Sequence, residues 1–222
     1  MATATSDLDR SGDRTADRAA DAAPSETARR ILRATAVCVA ANGLRATSID
    51  DIAREAGCAR ATIYRVFPGG RAGLLAASAE LEIGLVLAAA TEAADAQDDL
   101  AGAVAAAVQG ASATLAGHAA LQRLLAEEPG VVLPFISFDN LGPLLCLAGE
   151  RGVDLFGRFL DEEQAAEVGE WCARVVLAHL RSPGSPTDTT DLASVRRLVD
   201  HHLLPGLAVP ADGGERLAPD HG

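Results

Sequence analysis

The chain has 222 residues, 49% of them hydrophobic but only 3% aromatic, which is enough for a sizeable core or for a small domain beside a larger one. Alanine and leucine dominate and the β-branched alternation of strands is missing, so the composition excludes an all-β architecture and predicts an all-α one. The net charge of −12 would argue against a nucleic-acid partner if it were spread evenly, and it is not.

Divided along the chain, residues 1–24 carry −2, residues 25–80 carry +3 from eight Arg against five acids, and residues 81–222 carry −13. A basic module on an acidic body is the charge asymmetry that orients a protein on DNA, because only the basic end neutralises phosphates. Every basic side chain is arginine, and no lysine occurs. Cys38, Cys58, Cys146 and Cys172 form no CxxC pair, which fits reduced thiols. With no leader-like apolar run and no stretch approaching a membrane span, the expectation is a soluble cytoplasmic protein with no membrane partner.

Residues 1–24 are Asp, Arg, Ala, Ser and Thr with almost no large apolar side chain, the composition of a disordered tail. Arg10, Arg14 and Arg18 are its only candidates for phosphate contact. The first helix is predicted from the Ser25 cap to Asn42-Gly43, with Ile31, Leu32, Thr35, Cys38 and Val39 on its apolar face. Arg29, Arg30 and Arg33 lie on or near the opposite face, as solvated charges or as phosphate contacts.

Two short helices follow. Ser48 caps the first of them with Asp51 in the capping-box position, and Ile49, Ile52, Ala53 and Ala56 share one face. Gly57 supplies the turn. The second helix runs from about Ala59 to Val66 and stops before Pro68, with Ile63, Val66 and Phe67 inward and Ala61, Tyr64 and Arg65 outward, flanked by Arg60 and Thr62. Helices this short need neighbours to hold them, and an outward arginine-bearing face aims at something anionic. That is the logic of a helix-turn-helix entering the DNA major groove.

The ordered set Thr47, Ile52, Ala53, Ala56, Gly57, Thr62, Ile63, Tyr64, Phe67, Leu74 and Leu75 resembles the N-terminal domain of TetR-type (tetracycline-repressor-like) transcriptional regulators, over about a quarter of the chain. The resemblance implies an N-terminal three-helix DNA-binding domain, residues 25–75. It also implies a larger helical effector-binding and dimerisation domain, residues 76–206, before a disordered tail, 207–222. It departs from the family pattern at Ala59, where a serine-like cap is usual, at Val66, where histidine is frequent, and at Gly70, where lysine is common.

Within the module, side-chain reach assigns roles. Arg60 and Arg65 can fork onto guanine O6/N7 or bridge phosphates, and Thr62 and Tyr64 offer hydroxyls to phosphate oxygens. Thr47 and Ser48 stand at a helix N-terminus, Ala61 lies on the reading face, and Arg71 opens the fourth helix. The expected DNA contacts are therefore Thr47, Ser48, Arg60, Ala61, Thr62, Tyr64, Arg65 and Arg71.

Beyond Gly70 the chain reads as helix after helix: a long one carrying Leu74 to Leu87, one opened by Asp98-Asp99 and running to about Gly117, and one from His118 to Glu128 stopped by Pro129. Next come Val131 to Leu160, broken by Pro134 and Pro143, then Asp161 to Leu180, and a last helix from about Asp191 to Leu204. Val168, Trp171, Cys172, Val175, Ala178 and His179 share a wide apolar belt, and Leu192, Val195, Val199 and Leu203 repeat at helical spacing. Both patterns predict a homodimer through the last two long helices, because recognition helices read half-sites in pairs; packing inside one subunit is the alternative.

Five of the seven aromatic residues fall in the third of the chain that holds Phe135, Phe138, Phe156 and Trp171. The family's small-molecule effector would then meet Phe135, Phe138, Leu141, Leu145, Phe156, Trp171 and His179, unless these are ordinary core residues. His179 reads as a satisfied core histidine before it reads as a ligand. No phosphate loop, HExxH, GxSxG or spaced carboxylate pair occurs, so no enzyme, no metal and no cofactor are expected. The expected function is a repressor on a near-palindromic operator of double-stranded DNA, released by a largely apolar effector; the alternatives are a DNA-binding regulator without an effector, or a helical enzyme with an unrecognised site.

Overall fold

Ser25 Oγ accepts the Ala28 N–H at 3.2 Å and caps α1 (Glu26–Asn42), the first helix of a computed structural model that describes residues 24–132, 141–181 and 187–207. Arg10, Arg14, Arg18, Pro134, Phe135 and Phe138 lie outside the described residues. The apolar stripe of α1 is buried as its spacing predicts, with Ile31 at 0% and Leu32 at 4% exposure. Gly43 ends the helix at φ 78°, its N–H returning to Val39 O at 2.8 Å.

Both halves of the predicted capping box form at α2 (Ile49–Glu55). Gly57 turns the chain at φ 61° into α3 (Arg60–Val66), which has no side-chain cap because Ala59 offers none. Ile31, Ile52 and Ile63 meet in a core closed by Phe67 and by Leu74 from α4 (Gly70–Asp95).

The body is built round α5 (Leu100–Gly117), whose cap, Asp99, accepts the Gly102 N–H at 2.8 Å. Ala101 to Val108 are buried without interruption, so α5 is enclosed by α4, α9 (Glu162–Arg181) and α10 (Leu192–Leu198). Gly110 lets α4 come close: a Cβ there would stand 2.9 Å from Ala89 O. Between α5 and α9 run α6 (Ala119–Glu127), the short α7 (Pro129–Val132) and α8 (Leu141–Phe156). Helices α8 and α9 cross with their backbones in contact, Gly152 Cα against Gly169. Val104, Val108, Phe156, Val168 and Val195 belong to one core that spans these helices.

Several expectations need correction. Pro143 does not break α8, because it sits in the first turn, where the missing N–H has no helical partner to lose. The last helix is not one α-helix to Leu204: after Leu198 it widens into a π-helical turn, Val199–Leu203, and a 3-10 turn, Leu204–Gly206. Its apolar repeat serves the subunit's own core, since Val195 and Val199 are fully buried against α5 and Leu203 nearly so; only Leu192 is exposed. Finally, α4 and α5 are both long and apolar enough to cross a membrane by length and composition. Small alanines and glycines make up much of both, and more than half of the α5 stretch is buried as a core helix.

Candidate nucleic-acid interface

Helix α3 is divided by burial. Ile63 is wholly buried, Thr62 and Val66 half-buried, and Arg60, Ala61, Tyr64 and Arg65 form the exposed side. Seven residues give only two turns, so the direction of this face is set by the core contact of Ile63 with its neighbours on α1 and α2.

Tyr64, 43% exposed, lies across Gly70: a Cβ on that glycine would be 3.3 Å from Tyr64 Cε1, and its φ of 60° already disfavours any other residue. Glycine at this position is favoured by the φ of the turn, and a larger residue would also press on the tyrosine ring. Arg60 is ion-paired to Asp50 at 3.1 Å, its guanidinium carbon stands 5.9 Å from the Tyr64 ring centroid, and its Nη2 donates to the Tyr64 hydroxyl at 3.5 Å. That hydrogen bond first, and the Asp50 charge second, push the Arg60 guanidinium above its usual range. Arg65 has no acid at ion-pair distance among the described residues, and neither do the exposed Arg30 and Arg33 of α1. Arg29 pairs with Glu26 at 3.5 Å.

The α2 end is arranged differently from the sequence reading. Ser48 is exposed, but its hydroxyl is occupied with Asp51, accepting the Asp51 N–H at 3.2 Å and donating to Oδ2 at 2.5 Å. These bonds from Ser48, side chain first, hold the Asp51 carboxyl below the usual carboxylate range. Thr47 is 3% exposed and its hydroxyl donates to Gly43 O at 2.6 Å, so the side chain braces the turn. Arg71 does likewise, with Nη2 donating to Leu44 O at 2.6 Å. Sequence reasoning missed Arg45, whose side chain is 80% exposed between α1 and α2 and whose backbone N–H is taken by Glu128. No local signal links residues 83 apart.

Phe156 is 1% exposed in the body core, and Trp171 packs on the same core. His179 engages Val175 O at 2.8 Å on its own helix. Leu141 and Leu145 are half-buried on the N-terminal part of α8. A cavity of about 210 Å³ lies elsewhere, lined by Ser194, Arg197, His201 and His202. Desolvation pushes the Cys172 thiol up to about 12, so it is a protonated thiol at neutral pH.

A two-turn helix with an arginine and tyrosine face, held by a capped partner helix across a glycine turn, defines a helix-turn-helix DNA-binding transcriptional regulator. Residues 31–78 match the residue pattern of "Bacterial regulatory proteins, tetR family", so this N-terminal segment is a TetR-type DNA-binding domain. Among solved structures it is similar to AlkX, a TetR family repressor from Dietzia sp. strain DQ12-45-1b, at 19% identity with a TM-score of 0.57, covering 80% of this chain and 95% of that one. It is also similar to the fatty acid degradation regulator FadR from Bacillus halodurans, at 18% identity with a TM-score of 0.54, covering 82% and 99%. These likenesses extend the shared fold through the helical body. No curated protein sequence matches the chain.

Proposed function

We propose that the chain is a homodimeric, cytoplasmic repressor that reads a near-palindromic operator through α3 and leaves it when a small, largely apolar effector binds the helical body. The observation that carries the DNA half is the division of α3: Ile63 anchors it, so Arg60, Ala61, Tyr64 and Arg65 are presented on a fixed outward face. Thr47 and Ser48, at the start of α2, complete the proposed DNA contacts, although the capping box takes the Ser48 N–H and Leu44 O takes that of Thr47. Thr62 and Arg71 serve as flanking contacts once their present positions adjust. The division into residues 25–75 and 76–206 belongs to the same proposal and is supported by two separate cores.

Dimerisation would use the sides of α9 and α10 turned away from α5, where Ala178 and Leu192 are exposed. An effector would enter among α4, α8 and α9, reached by Leu141, Leu145 and Trp171. AlkX is implicated in biodegradation of n-alkanes and FadR regulates fatty acid degradation, so long-chain alkanes and fatty acids are the first probes to try.

The test is capture of genomic fragments by the purified chain, footprinting of the bound fragment, and titration with those probes. Arg65→Ala and Tyr64→Ala should each weaken binding by about 5- to 150-fold with an unchanged melting temperature, the loss of a specific contact being worth about 1–3 kcal/mol. Native affinity in both variants removes α3 from the interface. Retention of DNA at saturating probe rejects an effector of that class.

A further inference from the structure

The small N-terminal unit joins the body covalently through α4 alone, which starts at Gly70 and seats Leu74 in the N-terminal core. A single helical connection leaves the far side of the unit, at the α1–α2 turn, to be held by other contacts. The structure contains a second fastening, made by α6. Glu128, just past the end of α6 and 12% exposed, turns its carboxylate onto the α1–α2 turn. Its Oε2 accepts the Arg45 backbone N–H at 3.2 Å and stands 3.7 Å from Arg45 Nε. The carboxylate occupies the place of a side chain on Gly43, where an added Cβ would overlap Glu128 Oε1. Gly43 thus answers two demands: a positive φ, and room for an acid from 85 residues away.

One turn earlier on α6, Arg123 completes the grip. Its Nη1 donates to Ala41 O at 3.0 Å and reaches Ala40 O at 3.4 Å, while Nη2 is steadied by Glu127 at 2.7 Å. The last turn of α1 contains no basic residue of its own, so the cation that its exposed carbonyls favour is supplied by α6. The other end of α6 is tied to α4: His118 Nδ1 accepts the Leu121 N–H at 3.0 Å as the helix cap, and its Nε2 contacts Glu82 at 2.9 Å.

We infer that Arg123 and Glu128 are positioning residues for DNA reading: they clamp the α1–α2 turn to α6 and so fix the direction of α3 relative to the body. The route is short. The clamped turn runs into the Ser48 cap of α2, and α2 holds α3 through the Ile52 and Ile63 core. With two fastenings the separation of the two recognition helices in a dimer is set by the body. With α4 alone it becomes loose. This inference rests on the operator-binding reading.

Full-length wild type, Glu128→Ala, Glu128→Gln and Arg123→Ala are compared in two ways. Amide hydrogen exchange should rise at least tenfold at Arg45 in Glu128→Ala and stay near wild type in Glu128→Gln, whose amide oxygen still accepts the N–H. On the captured operator, wild type should prefer the native half-site spacing over a one-base-pair insertion by tenfold or more. Glu128→Ala and Arg123→Ala should lose most of that preference, and Glu128→Gln should recover it. Variants with wild-type exchange, or with wild-type spacing preference, overturn the inference. So do variants that merely melt earlier and lose both spacings equally, since that is a stability effect. A wild-type chain that captures no DNA sinks the regulator reading and this role with it, whereas captured DNA with indistinguishable variants sinks this role alone.

Discussion

Gly152 on α8 and Gly84 on α4 are both helix-interior glycines, and alanine should have opposite effects at the two. Alanine in place of glycine gains about 1 kcal/mol of helix propensity at either position. At Gly84 an added Cβ meets nothing within 4 Å, so Gly84→Ala keeps most of that gain and should stabilise by about 0.5–1 kcal/mol. At Gly152 the Cβ would overlap the Ala165 carbonyl oxygen and lie 2.8 Å from Gly169 Cα and 2.9 Å from Gly169 N. These are backbone atoms, which cannot rotate aside as a side-chain tip can. Helices α8 and α9 would have to part, loosening Ala148, Ala165 and Val168, all buried beside the crossing. Overpacking costs typically about 1–3 kcal/mol and, against an unyielding backbone, should sit at the upper end. Subtracting the propensity gain leaves Gly152→Ala less stable by about 1–2 kcal/mol. For a chain of this size 1 kcal/mol moves the melting temperature by about 2–4 °C, so the two variants should separate by roughly 3–12 °C in a thermal scan followed by circular dichroism. A Gly152→Ala protein that melts at or above wild type would refute the backbone crossing.

The ion pair with Asp50 competes with any phosphate for Arg60, so Asp50→Asn should tighten operator binding a few-fold and steepen its salt dependence. Unchanged affinity in a salt titration would mean that Arg60 does not reach the DNA. The Asp51 carboxyl is held low by Ser48, so its folded value lies below the unfolded one; its contribution to stability is present above the ordinary carboxylate value and is lost as pH falls through the depressed one. Ser48→Ala should therefore melt below wild type at neutral pH, with the gap narrowing as pH falls through the carboxylate range; a gap that stays constant from about pH 7 to 3 would contradict this. Alkylation at pH 8 should label exposed Cys146 while sparing Cys172, whose thiol stays protonated, and buried Cys38; peptide mapping that finds Cys172 labelled first would place it on the surface.

The helix starts were legible in the chain because each is written within one turn. Ser25, Ser48, Asp99 and Asp191 accept the N–H three residues on, and His118 does the same with a ring nitrogen. The outward face of α3 was legible for the same reason: Ile63 and its neighbours follow helical spacing, and only one side can be buried. Periodicity reports that a stripe is covered, though, and is silent on what covers it. Leu192, Val195, Val199 and Leu203 read as a dimer seam before they read as a core, yet the packing on α5 assigned Val195 and Val199 to the core. Polar side chains were the least legible. Thr47 and Arg71 look alike as candidates beside a DNA-reading helix, yet the fold spends Thr47 on Gly43 and Arg71 on Leu44, and it sets Arg45, which the sequence did not single out, against an acid 83 residues away. Hydrogen bonding within a turn is a property of the local sequence, whereas the partner of a long flexible side chain is fixed only when distant segments are brought together.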